Sequence, residues 1–398
     1  METFTGFEYI KLDIANQFGL DKENFEPRLA WVDSNLDRLE ELLDDADEPV
    51  LYLKAVMALR DAQAGIASGH LVGFDACASG LQIQSCLIGC EVTAKNTGLI
   101  DPNNRADIYA ITTEEMNNLL KHEGIQLAPL RKEVKQAQMT HFYGSKAKPK
   151  EIFGEDTIEL SKFYEAQKIV APGACEVMDD LMASWQSWAP EHSWTLPDGF
   201  NTIVKVMQEV DIKVEVDELD HSTFTHRFME NRGSEHGLSI AANIVHSIDG
   251  MVVREMGRRC NYDVNQLTKA IEKIRVFLDG RAIPGKPTNT DNFISLVHVE
   301  NIDQAIVELS INDLVRLRDT ILAVVEYRNF PIVCVHDEFK CHPNHVNRLR
   351  YWYKEILAEI AESKILEQIL SDVHGTPVTY VKWGNIADKI RQSNYALS

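Results

Sequence analysis

The chain has 398 residues, of which 44% are hydrophobic, so it is long enough to bury one large core or two ordinary ones. Its formal net charge of −21 repels phosphate backbones, which argues against strong binding of duplex DNA by this chain alone. No run of 18 apolar residues occurs, so we expect no membrane-spanning segment and no membrane partner.

The N-terminal segment and the cysteines indicate a cytoplasmic location. The first twenty residues, METFTGFEYIKLDIANQFGL, lack a basic region followed by an apolar one and do not predict a signal peptide. The seven cysteines are scattered and odd in number, as in proteins that keep their thiols reduced. Cysteines and histidines cluster late in the chain, but their spacing fits no common zinc pattern: Cys334, His336, Cys341, His342 and His345.

The first 75 residues predict two helices and a strand. Residues 26–48 form an acidic amphipathic pattern with leucines on one face, which indicates a helix that Pro49 stops. The following segment, VLYLKAVMALRDAQAG, is predicted as a second helix. The short apolar run LVGF is typical of a buried strand, and this strand ends at Asp75.

Helical and β patterns alternate through the rest of the chain. Helices are predicted over 105–122, 131–143, 154–190, 239–256 and 343–370. After Trp194, TLPDGF predicts a turn, and the alternating segments TIVKVMQ and IKVEVDEL predict a β-hairpin or a longer meander. Residues 257–325 are predicted as helices that flank a loop, DGRAIPGKPTNTDN. FPIVCV is predicted as an apolar strand that leads into HDEF.

Two aspartates follow apolar strands that are far apart in the sequence. Asp75 follows LVGF, and Asp337 follows FPIVCVH. One interpretation is that each aspartate simply forms a turn or caps a helix. The other is that the pair forms a two-metal site, because two Mg²⁺ ions held by rigid carboxylates stabilise the attacking and leaving oxygens of a phosphoryl transfer.

The helix predicted over 131–143 presents cations on one face. Steps of four residues advance about 40° around a helix, so Arg131, Lys135, Met139 and Tyr143 lie on one side. Two cations one turn apart suit a triphosphate, and Tyr143 lies about 12 Å beyond Lys135, where the sugar and base of a nucleotide would lie. The alternative is a solvated basic stripe with a tyrosine at the helix end.

Together these segments resemble motifs A, B and C of the single-subunit RNA polymerases of phages and mitochondria. The resemblance lies in DACASGLQ, in the pattern R-x3-K-x3-M-T-x2-Y-G-S and in VHDEF, in the family's order. The resemblance extends over nearly the whole chain, because four further segments are similar to the family: WTLPDGF, VHSIDG, the upstream YIKLDIANQFGLDKENFEPRLAWVDSNLD and the terminal NYALS. The last of these is similar to an aromatic tail that lies near the family's active site.

The resemblance implies DNA-directed RNA synthesis from ribonucleoside triphosphates by two-metal nucleotidyl transfer. It implies an α+β fold, a right-hand polymerase palm and fingers with mostly helical fingers and an antiparallel palm sheet. Mapped onto this sequence, it assigns metal binding to Asp75, Asp337 and the Ala76 carbonyl, catalysis to Asp75, Asp337, Lys135, Tyr143 and His246, nucleotide binding to Arg131, Lys135, Tyr143, Tyr109, His246 and Gly80, and a supporting role to His336.

Two alternatives stay open at this point. Family A DNA polymerases share the R-x3-K helix and an HDE signature, but their motif A has a glutamate five residues after the aspartate, which blocks a 2′-hydroxyl. Gly80 occupies that position here and leaves room for the hydroxyl, and Ser145 after Tyr-Gly also fits the RNA enzymes. A polymerase-like scaffold without chemistry is the other alternative; the presence of Asp75, Lys135, Tyr143 and Asp337 argues against it.

Departures from the family pattern predict partners. The chain lacks the family's N-terminal domain, thumb and upstream arginine motif, so we expect a second subunit that supplies them, as in the two-subunit RNA polymerase of coliphage N-four-like phages, acting in the host cytoplasm. Where the family has a promoter-reading hairpin, the acidic QEVDIKVEVDELDHS suits a major groove poorly. We therefore expect a single-stranded or pre-opened DNA template and recruitment by a single-stranded-DNA-binding factor.

The resemblance also predicts how the chain is divided. The expected parts are a helical region (1–74), palm with motif A (75–104), fingers with motif B (105–193), a specificity-loop-like hairpin and palm helix (194–256), an inserted helical element (257–325), and palm with motif C and tail (326–398).

Overall fold

The structure is a computed structural model that describes residues 1–125, 128–235, 237, 239–281 and 289–398. Helices dominate the described residues, and none of these helices is both long enough and apolar enough to cross a membrane. The α-helices are α1 (Gly6–Ala15), α2 (Phe25–Ser34), α3 (Pro49–Gln63), α4 (Ser79–Ile88), α5 (Glu91–Asn96), α6 (Ile108–His122), α7 (Arg131–His141), α8 (Ala147–Phe153), α9 (Ile158–Val170), α10 (Pro172–Ala183), α11 (Ser239–Cys260), α12 (Val264–Leu278), α13 (Ile302–Glu308), α14 (Ile311–Val325), α15 (Val346–Glu362), α16 (Ile365–His374) and α17 (Ala387–Gln392).

Three small antiparallel sheets accompany the helices in the described residues. The strands are β1 (Val72–Asp75), β2 (Glu191–Thr195), β3 (Asn201–Lys205), β4 (Met207–Val216), β5 (Ser222–Asn231), β6 (Val333–Val335) and β7 (Glu338–Cys341). One sheet has the order β1-β7-β6, and the others are the pairs β2-β3 and β4-β5. The mixture of helices and antiparallel sheets confirms the α+β prediction.

The β1-β7-β6 sheet lies against the main hydrophobic core. Phe74 of β1 and Phe339 of β7 are directly opposite each other and buried, and both belong to this core. Helix α4 follows β1 and is buried at every residue, and it contacts α10, α11 and α15. Because α4 is enclosed by helices, the segment between β1 and α4 is held between a sheet and a packed helical layer.

The single helix predicted over 26–48 is wrong. Helix α2 ends at Ser34, and a 3₁₀ helix follows over Leu36–Asp45. The side-chain amide of Asn35 donates to the carbonyl of Trp31 at 2.8 Å, which offers the backbone an alternative to the helical pattern. Helix α3 begins at Pro49, which suits the first helical position because its missing N–H would be unpaired there.

Two other long elements are also interrupted. The stretch 154–190 forms α9 and α10, which are separated where Pro172 lacks the N–H needed to continue α9. The helix predicted over 343–370 is likewise divided, since α15 ends at Glu362 and α16 begins at Ile365. The strand predicted over FPIVCV is only the three-residue β6, whose Val333 and Val335 are exposed.

The helical element predicted over 257–325 is present as α12, α13 and α14. Leu267 and Ile274 of α12, and Leu317 and Ile321 of α14, are buried in the main core. The element is therefore part of the packed body of the protein. Residues 282–288, within the loop predicted here, lie outside the described residues.

A buried ion-pair network fixes α11 against α15. Arg259 is 1% exposed, and its Nη2 lies 2.6 Å from Oε2 of Glu359, while its Nε lies 3.3 Å from Oε2 of Glu255. Arg259→Met removes the cation that pairs with Glu359 and leaves the buried Glu255 paired with Arg258 alone, so we expect the free energy of unfolding to fall by about 3–5 kcal/mol in urea titrations.

An exposed ion pair provides the control for Arg259. Lys273 pairs with Asp303 at 2.6 Å, and both side chains are largely in water. Lys273→Met should change the free energy of unfolding by less than about 1 kcal/mol. Equal effects of the two substitutions would show that the Arg259 network does not stabilise the α11–α15 contact.

Candidate active site

Strand pairing brings Asp75 and Asp337 together. Asp75 is directly opposite Glu338 in the β1–β7 pair, and the Ala76 N–H donates to the carbonyl of Asp337 at 3.4 Å on the next step. Asp337 and His336 form the two-residue turn between β6 and β7, and His336 has a φ of +56°. The two aspartates that follow separate strands in the sequence therefore lie at the same end of one sheet.

Both aspartates line a cavity of 580 Å³. The cavity lies between the end of β1, the first turn of α4, and the helices α6, α7 and α11. Besides the two aspartates, the predicted site residues on its wall are Ala76, Gly80, Tyr109, Lys135, Tyr143, His246 and His336. Among the predicted site residues, Arg131 alone is not on the wall.

The cavity is electrostatically suited to cations. Burial, together with the neighbouring carboxylates of Asp337 and Glu338, raises the pKa of Asp75 to about 6. Burial and Asp337 also raise the pKa of Asp249, another residue of the wall, to about 6. Neighbouring carboxylates repel one another when they are ionised, and a divalent cation between them would stabilise the ionised forms. This set of oxygen ligands therefore fits Mg²⁺.

Helix α7 ends in a way that directs Tyr143 toward the cavity. The N–H of Ser145 donates to the carbonyl of Thr140 at 3.1 Å, and the N–H of Gly144 donates to the carbonyl of His141 at 2.8 Å. These two bonds form a Schellman motif, which needs a residue of positive φ, and Gly144 has a φ of +84°. The Tyr-Gly pair seen in the sequence is therefore a helix-ending device.

Lys135 and Arg131 have different surroundings on α7. The Nζ of Lys135 lies 5.5 Å from the centre of the Tyr109 ring and on the cavity wall. The Nη2 of Arg131 instead lies 2.5 Å from Oδ2 of Asp107, a residue that also accepts hydrogen bonds from the first N–H groups of α6. The structure thus brings Lys135, but not Arg131, to the cavity.

Tyr143 and His246 form a stacked pair on the cavity wall. Their ring centres are 4.4 Å apart, and the ring planes differ by 10°. Burial, together with Asp249 and Asp337, raises the pKa of Tyr143 to about 12, so its hydroxyl stays protonated. A Cβ placed on Gly80 would lie 2.6 Å from this hydroxyl oxygen, so glycine is required for the present position of Tyr143.

Asp249 is the residue of the wall that the sequence interpretation missed. It follows His246 by three residues on α11, so the two side chains lie on one face of the helix. Oδ2 of Asp249 accepts a hydrogen bond of 3.5 Å from the hydroxyl of Ser79, at the start of α4. The i, i+3 spacing within VHSIDG is the signal that could have identified it.

The C-terminal segment packs beside β1, next to the cavity. The N–H of Ser398 donates to the carbonyl of Asp75 at 3.1 Å, and Leu397 forms an isolated antiparallel bridge with Ala76. The ring of Tyr395 stacks on Phe25 at 4.8 Å. The C-terminal segment therefore contacts the edge of β1 that is not paired with β7, and it helps to fix the backbone of Asp75.

Residues 3–169 match the sequence model of the family described as DNA-dependent RNA polymerase. A DNA-directed RNA polymerase of Pseudomonas phage phiKMV is 30% identical over 135 residues, which is 30% of this chain and 16% of the relative. A probable DNA-directed RNA polymerase of Neurospora crassa is 30% identical over 158 residues, covering 35% of this chain and 18% of the relative.

A third relative gives the same result. The DNA-directed RNA polymerase of Enterobacteria phage T3 is 27% identical over 140 residues, covering 31% of this chain and 15% of the relative. The match therefore spans less than a fifth of the length of each of these relatives. It confirms the resemblance to RNA polymerases for the part of the chain that contains Asp75, Lys135 and Tyr143.

Proposed function

We propose that this chain is the catalytic subunit of a DNA-directed RNA polymerase that adds ribonucleotides to an RNA 3′ end on a DNA template. The observation that supports this most strongly is the meeting of Asp75 and Asp337. Asp75 lies inside the region that matches RNA polymerases, and Asp337 lies 168 residues beyond its end at residue 169. Strand pairing nevertheless brings both carboxylates to the cavity that contains Lys135 and Tyr143.

Asp75, Asp337 and the Ala76 carbonyl would hold two Mg²⁺ ions. When bound, these ions stabilise the charge that develops on the attacking and leaving oxygens of nucleotidyl transfer. The protein contributes rigidity, because Asp75 ends a paired strand and Asp337 lies in a two-residue turn of the same sheet.

The remaining residues of the wall would bind the nucleotide. The ammonium group of Lys135 would neutralise the triphosphate and stabilise the leaving pyrophosphate, since it is not enclosed by the core. Arg131 would join it only after release from Asp107, so we assign that arginine a role in closure around the substrate. Tyr109 would form the floor beneath both cations.

Tyr143 would discriminate between ribose and deoxyribose. Its protonated hydroxyl beside Gly80 offers a hydrogen bond that a 2′-hydroxyl can use and a 2′-hydrogen cannot. Tyr143→Phe should therefore lower the preference for ribonucleotides over deoxyribonucleotides about tenfold, the value of one such hydrogen bond. The measurement is kcat/KM for the two nucleotides in competition on one primer–template. A variant with unchanged preference would contradict the assignment of Tyr143.

We further propose a second subunit that supplies an N-terminal domain and thumb and holds the nucleic acid. The net charge of −21 and the acidic β4–β5 hairpin support this, because neither suits tight binding to a phosphate backbone. The same charges favour a single-stranded or pre-opened template delivered by a recruitment factor.

The function is tested by extension of an RNA primer annealed to a DNA template. The assembly is purified through a tag on this chain and supplied with ribonucleoside triphosphates and Mg²⁺. Template-directed ribonucleotide addition is expected. Extension with deoxyribonucleotides alone would instead identify a DNA polymerase.

A further inference from the structure

Strands β4 and β5 form a long two-stranded ribbon, here called the ribbon (Met207–Asn231). Ten residues of each strand pair in register, from Met207 opposite Asn231 to Val216 opposite Ser222. Within the described part of the chain, these two strands hydrogen-bond as a sheet only with each other. An isolated two-stranded ribbon is only marginally stable in water, so contacts with another surface would stabilise it. The chemistry of its two faces indicates which kind of surface that is.

The two faces of the ribbon differ in chemistry. Alternate residues of β4 and their partners on β5 share a face, because strand side chains alternate. One face is apolar and aromatic over most of its length: Val210, Ile212, Val214 and Val216 with Phe224, His226 and Phe228. The opposite face is mainly charged and hydroxylic: Glu209, Asp211, Lys213 and Glu215 with Thr223, Thr225, Arg227 and Met229.

The apolar face is open to solvent. Phe224 is 53% exposed, Ile212 is 43% exposed and Phe228 is 36% exposed. The ring of His226 stacks on Phe228 with 5.6 Å between ring centres. Clustered apolar side chains in water, rimmed by charged residues, are a feature of protein interaction sites.

The charge of the ribbon identifies the class of partner. Residues 207–231 contain seven Asp or Glu and two Lys or Arg, a formal charge of −5. Of the two cations, Arg227 is paired with Asp211 at 2.8 Å and with Glu209 at 3.1 Å. The negative charge of the ribbon would repel the phosphates of a nucleic acid, since Lys213 is the one cation of the ribbon besides the paired Arg227. It would also repel a second copy of this chain, whose net charge is −21.

We propose that the apolar face of the ribbon is a docking site for another protein, whose surface has an apolar centre and a basic rim. The valines, Ile212 and the two phenylalanines contact the apolar centre. The acidic side chains at the two ends of this face pair with the basic rim: Glu230, opposite Gln208, at one end, and Asp217, Glu218 and Asp220 at the tip.

The dimensions of the ribbon set the expected affinity. Ten residues per strand span about 33 Å, and two strands are about 10 Å wide, so one face offers about 330 Å². This is well below the roughly 800 Å² per partner of a stable interface, so the contact should be transient and sensitive to salt. A dissociation constant in the micromolar range is therefore expected for the ribbon contact alone.

The test uses site-specific photo-crosslinking in the cells that produce the protein. A benzophenone amino acid replaces Phe224 on the apolar face or, as the matched control, the exposed neighbour Thr225 on the opposite face. We expect position 224, and not position 225, to crosslink to one protein, which is then identified and purified. Titration of that protein with the full chain should give weaker binding for Phe224→Ser by about tenfold, and unchanged binding for Thr225→Ser.

Raising the salt concentration from about 50 to about 500 mM should also weaken this binding several-fold. Both residues are exposed, so circular dichroism of the variants should match the wild type. Crosslinking of position 224 only to nucleic acid, only to a second copy of the chain, or to nothing would overturn the proposal. The same holds for a partner whose binding is indifferent to Phe224→Ser. None of these outcomes depends on polymerase activity, since this proposal concerns residues outside the cavity.

Discussion

Asp337→Asn should lower the rate of ribonucleotide addition by at least about a thousandfold while the protein stays folded. The substitution keeps the size of the side chain but removes the negative charge that faces Asp75 at the end of the β1–β7 pair. Loss of one carboxylate from a two-metal site costs several kcal/mol of transition-state stabilisation, and each 1.36 kcal/mol is a tenfold change in rate. The measurement is single-turnover extension of an RNA primer on a DNA template by the purified assembly.

Glu338→Gln is the matched control for Asp337→Asn. Glu338 is the next residue in the chain, and it lies opposite Asp75, but it does not line the cavity and its Oε1 is 2.8 Å from Nζ of Lys340. We expect less than about a fivefold change in rate for this variant. If Asp337→Asn retained synthesis, the assignment of the cation site would be wrong.

Lys135→Ala should lower kcat about a hundredfold, with a smaller change in KM. Its ammonium group is proposed to stabilise negative charge that grows on the leaving pyrophosphate, so its effect is greater in the transition state than in the ground state. Lys132→Ala is the control, because Lys132 is also exposed on α7 but is not on the cavity wall. Equal losses for the two lysines would indicate a general effect of positive charge on α7.

The local elements of the site could be predicted from the sequence. The short apolar run before Asp75 and the turn chemistry at Tyr143-Gly144 both specify their structures through neighbouring residues, and the structure has β1 and the end of α7 at those places. The resemblance to RNA polymerases could also be identified in this way, because the motifs and their order are read directly from the sequence. These inferences needed no knowledge of distant contacts.

Features that depend on distant partners were less predictable. The pairing of Asp75 with Glu338 is a matter of strand register, which no local pattern of so short a strand determines. The engagement of Arg131 by Asp107 depends on how α6 packs against α7, so a helical wheel placed Arg131 beside Lys135 without showing its partner. The break after α2 reflects a side-chain hydrogen bond of Asn35 that competes with an otherwise continuous apolar stripe.

Asp249 shows the limit of assigning roles by resemblance alone. The resemblance in VHSIDG assigns a role to His246 only, whereas the structure places Asp249 on the same wall near Asp337. Asp249 therefore adds a third carboxylate to the cavity wall, beside Asp75 and Asp337. Its hydrogen bond from Ser79 ties α11 to α4, which is the helix that begins immediately after Asp75 and Ala76.

The most direct test of the central claim is the binding of Mn²⁺, as a paramagnetic substitute for Mg²⁺, measured by electron paramagnetic resonance with a non-hydrolysable ribonucleoside triphosphate. The exposed cluster of Glu215, Asp217 and His221 at the tip of the ribbon is another place where a cation could bind, so the measurement uses a Glu215→Gln background. We predict that Asp75→Asn in this background weakens nucleotide-dependent Mn²⁺ binding by at least about tenfold. Unchanged binding would contradict the claim that Asp75 and Asp337 hold the catalytic cations.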